Sequence, residues 1–226
     1  MKTKIICTIG PSSLKFETMK EMALAGMDIA RINTKHGNQK QWEEIISNAR
    51  KLRIKIMLDI KNLKVIEWVK SQKPDYVAVS FAEKASEINH IKSKLNKEVK
   101  IVSKIETELG IKNISQLLKS SWGIMVARGD LAKNVNFEQV PVLQREIIKK
   151  CRASRKFAIT ATEMLLSMTK SNSPTRAEVS DVATAVFLGS HGVMLSEETA
   201  IGKYPVLCVL TMRKITNESE KSLNKE

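Results

Sequence analysis

Two short runs join apolar residues to groups that do chemistry: Val102-Ser103-Lys104-Ile105-Glu106 and Met125-Val126-Ala127-Arg128-Gly129-Asp130. A carboxylate is a hard oxygen ligand of the kind Mg2+ takes, and an ammonium beside it can stabilise an oxyanion. Each run reads as a buried strand until its last residues. A charge removed from water costs free energy unless it is paired, so packing alone gives no reason for one at the end of such a strand. In a barrel of parallel strands the carboxyl ends converge on one mouth, where active sites sit, and the two runs would meet there.

Strand-like and helical patterns alternate from one end of the chain to the other. Strands are expected at 4–9, 28–32, 55–60, 75–81, 100–105, 123–127, 157–162 and 192–195. Helices are expected near 16–25, 39–52, 63–71, 85–95, 113–120, 141–153, from Pro174-Thr175 to Gly189, and at 205–219. The second helix shows Trp42, Ile45, Ile46 and Ala49 on one face, and the first follows Ser12-Ser13 as caps. The fourth strand is almost continuously apolar, the mark of a strand covered on both sides. Pro174-Thr175 and Gly189 are typical of a helix start and stop. Eight of each element predict a single (β/α)8 TIM barrel spanning residues 1–226.

Bulk composition agrees with one domain: 226 residues with 42% hydrophobic content can bury one full core. No apolar run approaches the roughly 20 residues of a membrane span, and Met1-Lys2-Thr3-Lys4 leads straight into Ile5-Ile6-Cys7, so a cytoplasmic protein without membrane contact is expected. Cys7, Cys151 and Cys208 have no metal-ligand or disulfide spacing and read as small core residues. The net charge of +14 invites anionic partners, but pairs such as Lys92 and Lys94 or Lys149 and Lys150 fall on polar helix faces, and 4% aromatic content offers little to stack on bases. Nucleic acid is not an expected partner. Oligomeric state stays open, a homo-oligomer included.

Ordered motifs add a resemblance. Cys7-Thr8-Ile9-Gly10-Pro11-Ser12-Ser13, Ile29-Ala30-Arg31-Ile32-Asn33 with His36-Gly37, Ser103-Lys104-Ile105-Glu106, and the stretch 124–131 are similar to segments of pyruvate kinase. So are Thr160-Ala161-Thr162 with Met164-Leu165, the stretch 174–182, and Val193-Met194-Leu195-Ser196 with Glu198-Thr199-Ala200. The chain resembles the barrel domain of that family over nearly its whole length. The resemblance implies that Lys104 stabilises charge on an enolate and a transferring phosphoryl group, with Thr162 beside it and Arg31 as a phosphate-binding arginine. It implies that Glu106 and Asp130 hold Mg2+ or Mn2+, which chelates the carboxylate and keto oxygens of pyruvate, phosphoenolpyruvate or a related 2-oxo acid. Backbone N–H groups around Ala127, Gly129 and Asp130, with the Thr162 hydroxyl, match the family's carboxylate seat. Asn33 and Asp59 match monovalent-cation ligands, and His36 matches a histidine near nucleotide phosphate.

Departures from the family narrow these expectations. Only residues 61–74 lie between the third and fourth strands, where the family inserts a lid domain carrying cationic residues to the nucleotide. The family's carboxyl-terminal domain has no counterpart before the polar tail ending at Glu226. Nucleotide binding thereby loses its usual support, and phosphoryl transfer is the weaker expected outcome. Lys35 stands where the family has a serine and Ile60 where it has a threonine, so K+ is not expected; the ammonium of Lys35 or Lys64 would replace its charge. Glu197 replaces a glycine and adds a carboxylate beside the last strand, to repel a polyphosphate, serve as an acid or base, or face solvent.

Structural alternatives stand beside each role. Lys104 and Glu106 could form a purely structural ion pair, Asp130 could cap a turn, and Thr162 could be an ordinary strand residue, while His90 and His191 read as structural. The expected function is an enzyme that stabilises a 2-oxo acid enolate, ending in phosphoryl transfer or in lyase or decarboxylase chemistry. The alternative is a non-catalytic ligand-sensing or partner subunit built on the same barrel.

Overall fold

A computed structural model describes residues 2–223; Met1 and the end of the polar tail, including Glu226, lie outside the described residues. Eight parallel strands close in sequence order: β1 Lys4–Thr8, β2 Ile29–Asn33, β3 Lys55–Ile60, β4 Tyr76–Val79, β5 Lys100–Ile105, β6 Gly123–Ala127, β7 Phe157–Ala161 and β8 Gly192–Leu195. The helices around them are α1 Phe16–Ala25, α2 Gln39–Lys51, α3 Ile66–Gln72, α4 Ala85–Lys94, α5 Glu108–Lys112, α6 Ile114–Ser120, α7 Arg128–Leu131, α8 Val140–Ala153, α9 Arg176–Phe187, α10 Glu197–Ala200 and α11 Pro205–Leu223. The expected single barrel is the observed architecture.

Strand parity places the site. Successive strand residues point to opposite faces, and Ile6, Ile29, Met57, Ala78, Val102, Met125, Ile159 and Met194, one from each strand, pack together inside the barrel. Two residues further along the chain come Thr8, Arg31, Asp59, Lys104, Ala127 and Ala161 on their strands, with Ser80 and Ser196 just past the ends of β4 and β8. An apolar floor therefore gives way to a mostly polar layer at the carboxyl mouth. The opposite strand faces meet the helices in a second apolar cluster, which includes Cys7, Cys151 and Cys208.

At the amino mouth, Tyr76, Trp122, Phe157 and His191 form an aromatic ladder with centroid separations of 5.3, 4.6 and 5.1 Å. The Lys100 ammonium lies 4.9 Å from the Trp122 ring centroid. His191 accepts the Ala158 N–H on Nδ1 at 3.1 Å, a structural role at the end remote from the chemistry.

Several boundaries differ from the sequence reading for local reasons. β4 stops at Val79 because the chain turns left-handed at Phe81, with φ of 52°, and donates the Phe81 N–H to the Glu106 carboxylate. β7 stops at Ala161 because Thr162 and Glu163 are left-handed, with φ of 73° and 53°. Ser12-Ser13 do not cap α1, whose N-cap is Lys15; Ser13 Oγ instead accepts the Gly10 N–H and closes the turn after β1. α2 and α9 do begin with capping boxes, Asn38 with Gln41 and Thr175 with Glu178.

Candidate active site

The inward layer forms a continuous web of charge. Arg31 donates through Nε and Nη2 to Asp59 Oδ2 at 3.0 and 2.6 Å, and through Nη1 to Thr8 Oγ1 at 2.7 Å. Lys104 Nζ lies 3.2 Å from Asp59 Oδ2, 3.0 Å from Ser80 Oγ and 3.0 Å from Glu106 Oε1. All four charged side chains are buried, Glu106 almost completely at 1% exposure. Burial alone would raise the Asp59 carboxyl, but the Arg31 and Lys104 charges outweigh it and hold that group below the usual carboxylate range. Burial wins at Glu106 and pushes its carboxyl up, against the pull of Lys104 and the Phe81 N–H.

Glu106 is incompletely satisfied. Its Oε2 takes the Phe81 N–H, whereas Oε1 is sealed from solvent and makes no hydrogen bond, since the nearby ammonium is off hydrogen-bonding geometry. The ammonium offsets part of the cost of burying that oxygen, but its hydrogen-bonding capacity stays unused. Asp130, the other expected metal ligand, sits on α7 with its side chain 45% exposed. Lys133 Nζ binds it at 2.9 Å and keeps its pKa low, but that pair faces solvent and holds the carboxylate only weakly. No group of three or more His, Cys, Asp or Glu side chains gathers to hold a metal among the described residues. Mg2+ asks for less: one or two protein carboxylates, with substrate and water completing its shell. The donor set fits that ion.

The β6 and β7 ends are locked together by a residue the sequence reading passed over. Arg128 donates from Nη2 to the Thr162 carbonyl at 2.6 Å and from Nη1 to Asp181 at 2.7 Å and Gln144 at 3.3 Å. It ties α7, the β7 turn, α8 and α9 into one unit. The turn it fixes is strained, because a β-branched threonine with positive φ is a backbone outlier. Thr162 Oγ1 accepts the Gly129 N–H at 2.8 Å, so one amide of the expected carboxylate seat is held by the hydroxyl expected to work beside it. A methyl at Gly129 would meet Thr162 Oγ1 only at 3.5 Å, an ordinary contact.

Around the ends of β2 and β3 lie Asn33, Lys35 and Asp59. Asp59 is paired with Arg31 and Lys104, and no ion pair from Lys35 or Lys64 reaches it among the described residues. Asn33 Oδ1 accepts the Lys35 backbone N–H at 3.2 Å and shapes the loop after β2. Beside this region opens a cavity of about 680 Å3, lined by Thr8, Arg31, His36, Trp42, Ser196 and Glu197 among others.

Eight parallel strands closed in sequence order, with buried cations, carboxylates and left-handed turns at the carboxyl mouth, define a (β/α)8 barrel. The model of the pyruvate kinase barrel domain matches residues 1–65 and 55–209, and the chain belongs to that family. It is 47% identical to pyruvate kinase from Bacillus licheniformis over 154 residues, which is 66% of this chain and 26% of that protein. Pyruvate kinase from Dictyostelium discoideum is 47% identical over 163 residues, 71% of this chain and 32% of that one. The match to the Thermococcus litoralis pyruvate kinase, 29% identical, covers 97% of this chain and 70% of that protein. That match runs over 331 positions although this chain has 226 residues, so the relative carries more than a hundred residues without a counterpart here. The family match divides at residues 55–65, on β3 and the connection after it, which here holds only one turn of 3-10 helix and α3. No helix among the described residues is long and apolar enough to cross a membrane.

Proposed function

We propose that the carboxyl mouth binds pyruvate, phosphoenolpyruvate or a related 2-oxo acid through Mg2+ or Mn2+ and stabilises its enolate. The observation that carries this reading is Glu106 Oε1, a buried carboxylate oxygen without a hydrogen bond, 3.0 Å from the Lys104 ammonium. Glu106 and Asp130 would hold the ion, which supplies Lewis-acid polarisation of the keto oxygen. Lys104 is held by Asp59 and Ser80, so its charge is already oriented when negative charge develops on the substrate oxygen. The amides around Gly129 would seat the carboxylate, with Thr162 Oγ1 exchanging its bond to Gly129 for one to the substrate. Arg31 shares Asp59 with Lys104, so that one carboxylate does not cancel both positive charges. The short β3–β4 connection leaves the mouth open above, which favours proton exchange, lyase or decarboxylase chemistry over phosphoryl transfer in a water-excluded site.

Two measurements test this reading. Calorimetry should detect oxalate uptake that requires Mg2+ or Mn2+, and proton NMR in D2O should show metal-dependent exchange at the pyruvate methyl group. Lys104→Met should lower the exchange rate by about 100-fold or more while oxalate still binds. Oxalate uptake indifferent to divalent ions would remove the metal assignment. Metal-dependent binding without exchange would turn the reading to a ligand-sensing subunit.

A further inference from the structure

Each helix that joins two strands returns the chain to the start of the next one, so the helix carboxyl ends and the connections after them gather at the amino mouth. Cations dispersed along the sequence meet there. The last turns of α2, α3, α4, α6 and α8 are basic, from Arg50 to Arg152, and the connections that follow add Arg53, Lys73, Lys97 and Arg155, all exposed. Apart from Lys55 on Asp75, no cation of this crescent forms an ion pair among the described residues. Carboxylates on the same rim are few: Asp28 and Asp75, already paired with Lys4, Arg213 and Lys55, then Glu98 and, near the end of α11, Glu218 and Glu220. At the carboxyl mouth cations and carboxylates occur in comparable number, so the excess positive charge of the chain lies toward one face.

A helix carboxyl end favours a nearby cation, so one in each last turn needs no further reason. The connections do need one. Arg53, Lys73 and Arg155 are left-handed, with φ of 56°, 44° and 52°, at the turn where α1 and α9 are followed by Gly26 and Gly189. A side chain costs free energy there that glycine does not, so these cations stand against the local preference of the backbone. The rest of the rim is apolar. α11 packs against both α9 and α1, and the three helices carry Leu223, Phe187 and Leu24 in their last turns, exposed by 42, 47 and 81%. Neither α1 nor α9 has a cation in its last turn. Glu220 accepts the Thr3 N–H just before β1, which places the end of α11 at the same mouth.

We propose that the amino rim docks on an anionic lipid bilayer, with the basic crescent against the headgroups and Leu24, Phe187 and Leu223 entering the acyl boundary. A bilayer uses both parts at once, because its surface charge attracts each exposed Lys or Arg and its interior takes the apolar side chains. A nucleic acid makes no use of the apolar arc. The rings at the centre of the rim are packed on one another, with Lys100 over two of them, and are not free to stack on bases. A second copy of this chain brings like charge against the crescent. Docking on a surface needs no spanning segment, so the lack of one among the described residues does not bear on this mode.

The test is sedimentation with vesicles of about two parts phosphatidylcholine to one of phosphatidylglycerol, and with phosphatidylcholine alone, in the absence of pyruvate and divalent ions. The chain should sediment with the mixed vesicles only, and raising salt from about 0.05 to 0.5 M should weaken binding about tenfold or more. Lys97→Glu with Arg155→Glu should weaken it about tenfold or more. The same change of charge at the carboxyl mouth, Lys15→Glu with Lys170→Glu, lies beyond the screening length and should weaken it by less than about twofold. Leu24→Gln, at a position too exposed to disturb the fold, should weaken it about fivefold. Equal losses from the two charge pairs would trace binding to overall charge and overturn the proposal. So would parental affinity in Leu24→Gln, tighter binding of oligothymidylate than of the mixed vesicles, or light scattering that finds a dimer dissociated by Leu24→Gln.

Discussion

At the amino end of the barrel Tyr76, Trp122, Phe157 and His191 stack in chain order, and Asp28 and Asp75 accept the N–H groups of Ile5 and Ile56 while pairing with Lys4 and Lys55. At the carboxyl end the same strands finish in four buried charges, two consecutive left-handed non-glycine residues, and the unsatisfied Glu106 Oε1 and Ser196 Oγ. Among the described residues the amino end has one unsatisfied atom of this kind, Arg213 Nε, whose neighbouring nitrogens hold Thr3, Gly26 and Asp28. Strands of one composition thus end in closed contacts on one side and in unspent bonding capacity on the other. A fold gains stability from the first arrangement and reactivity from the second.

The comparison breaks most visibly if the aromatic ladder is cut. Trp122 contacts both Tyr76 and Phe157, and Trp122→Ala should lower unfolding stability by about 2–3 kcal/mol in urea titration. Oxalate uptake by the folded variant should remain unchanged; a large loss of affinity would mean that the two ends are mechanically coupled. A smaller effect of opposite sign is expected at the carboxyl end. Glu163 is exposed and left-handed, so Glu163→Gly should raise stability by about 0.5–1 kcal/mol, because glycine enters that region without steric cost. The same change loosens the turn that presents Thr162 and should slow pyruvate exchange several-fold. A variant both more stable and equally active would show that the strain serves no function.

The barrel was legible because its periodicity is long-range and redundant. β3, β5, β6 and β8 fall where their apolar runs begin and end, and parity along them places Asp59 and Lys104 on the inner face. Ends set by tertiary partners were not legible. Nothing local tells that Phe81 turns left-handed to reach Glu106, and the single helical turns of α7 and α10 are too short to show a period. Arg128 lay inside a run chosen for its chemistry, yet its role depends on Thr162, Gln144 and Asp181, which come from three other segments. Arg31 and Lys104 meet at Asp59 because their strands aim both side chains inward, a convergence that only the closed barrel reveals.

Proton linkage sharpens the contrast between the two ends with the smallest effect. Burial and the nearby Arg152 lower the His191 pKa, and only the neutral ring can accept the Ala158 N–H on Nδ1. Below about pH 6.5 the unfolded chain takes up a proton that the folded chain resists, so this residue costs stability as pH falls through the unfolded value, until the folded ring protonates as well. Glu106 acts in the reverse sense. Its folded pKa is raised, so the unfolded chain releases its proton first, and stability is lost as pH rises from about 4.3 through the folded value. Difference titrations of unfolding free energy between pH 4 and 8 should separate them: His191→Gln removes the contribution that rises with pH, and Glu106→Gln removes the contribution that falls. Equal slopes in both variants and the parent chain would place both groups in solvent-like surroundings. Mg2+ should cancel the Glu106 slope and leave the His191 slope intact if the ion is held by Glu106 as proposed.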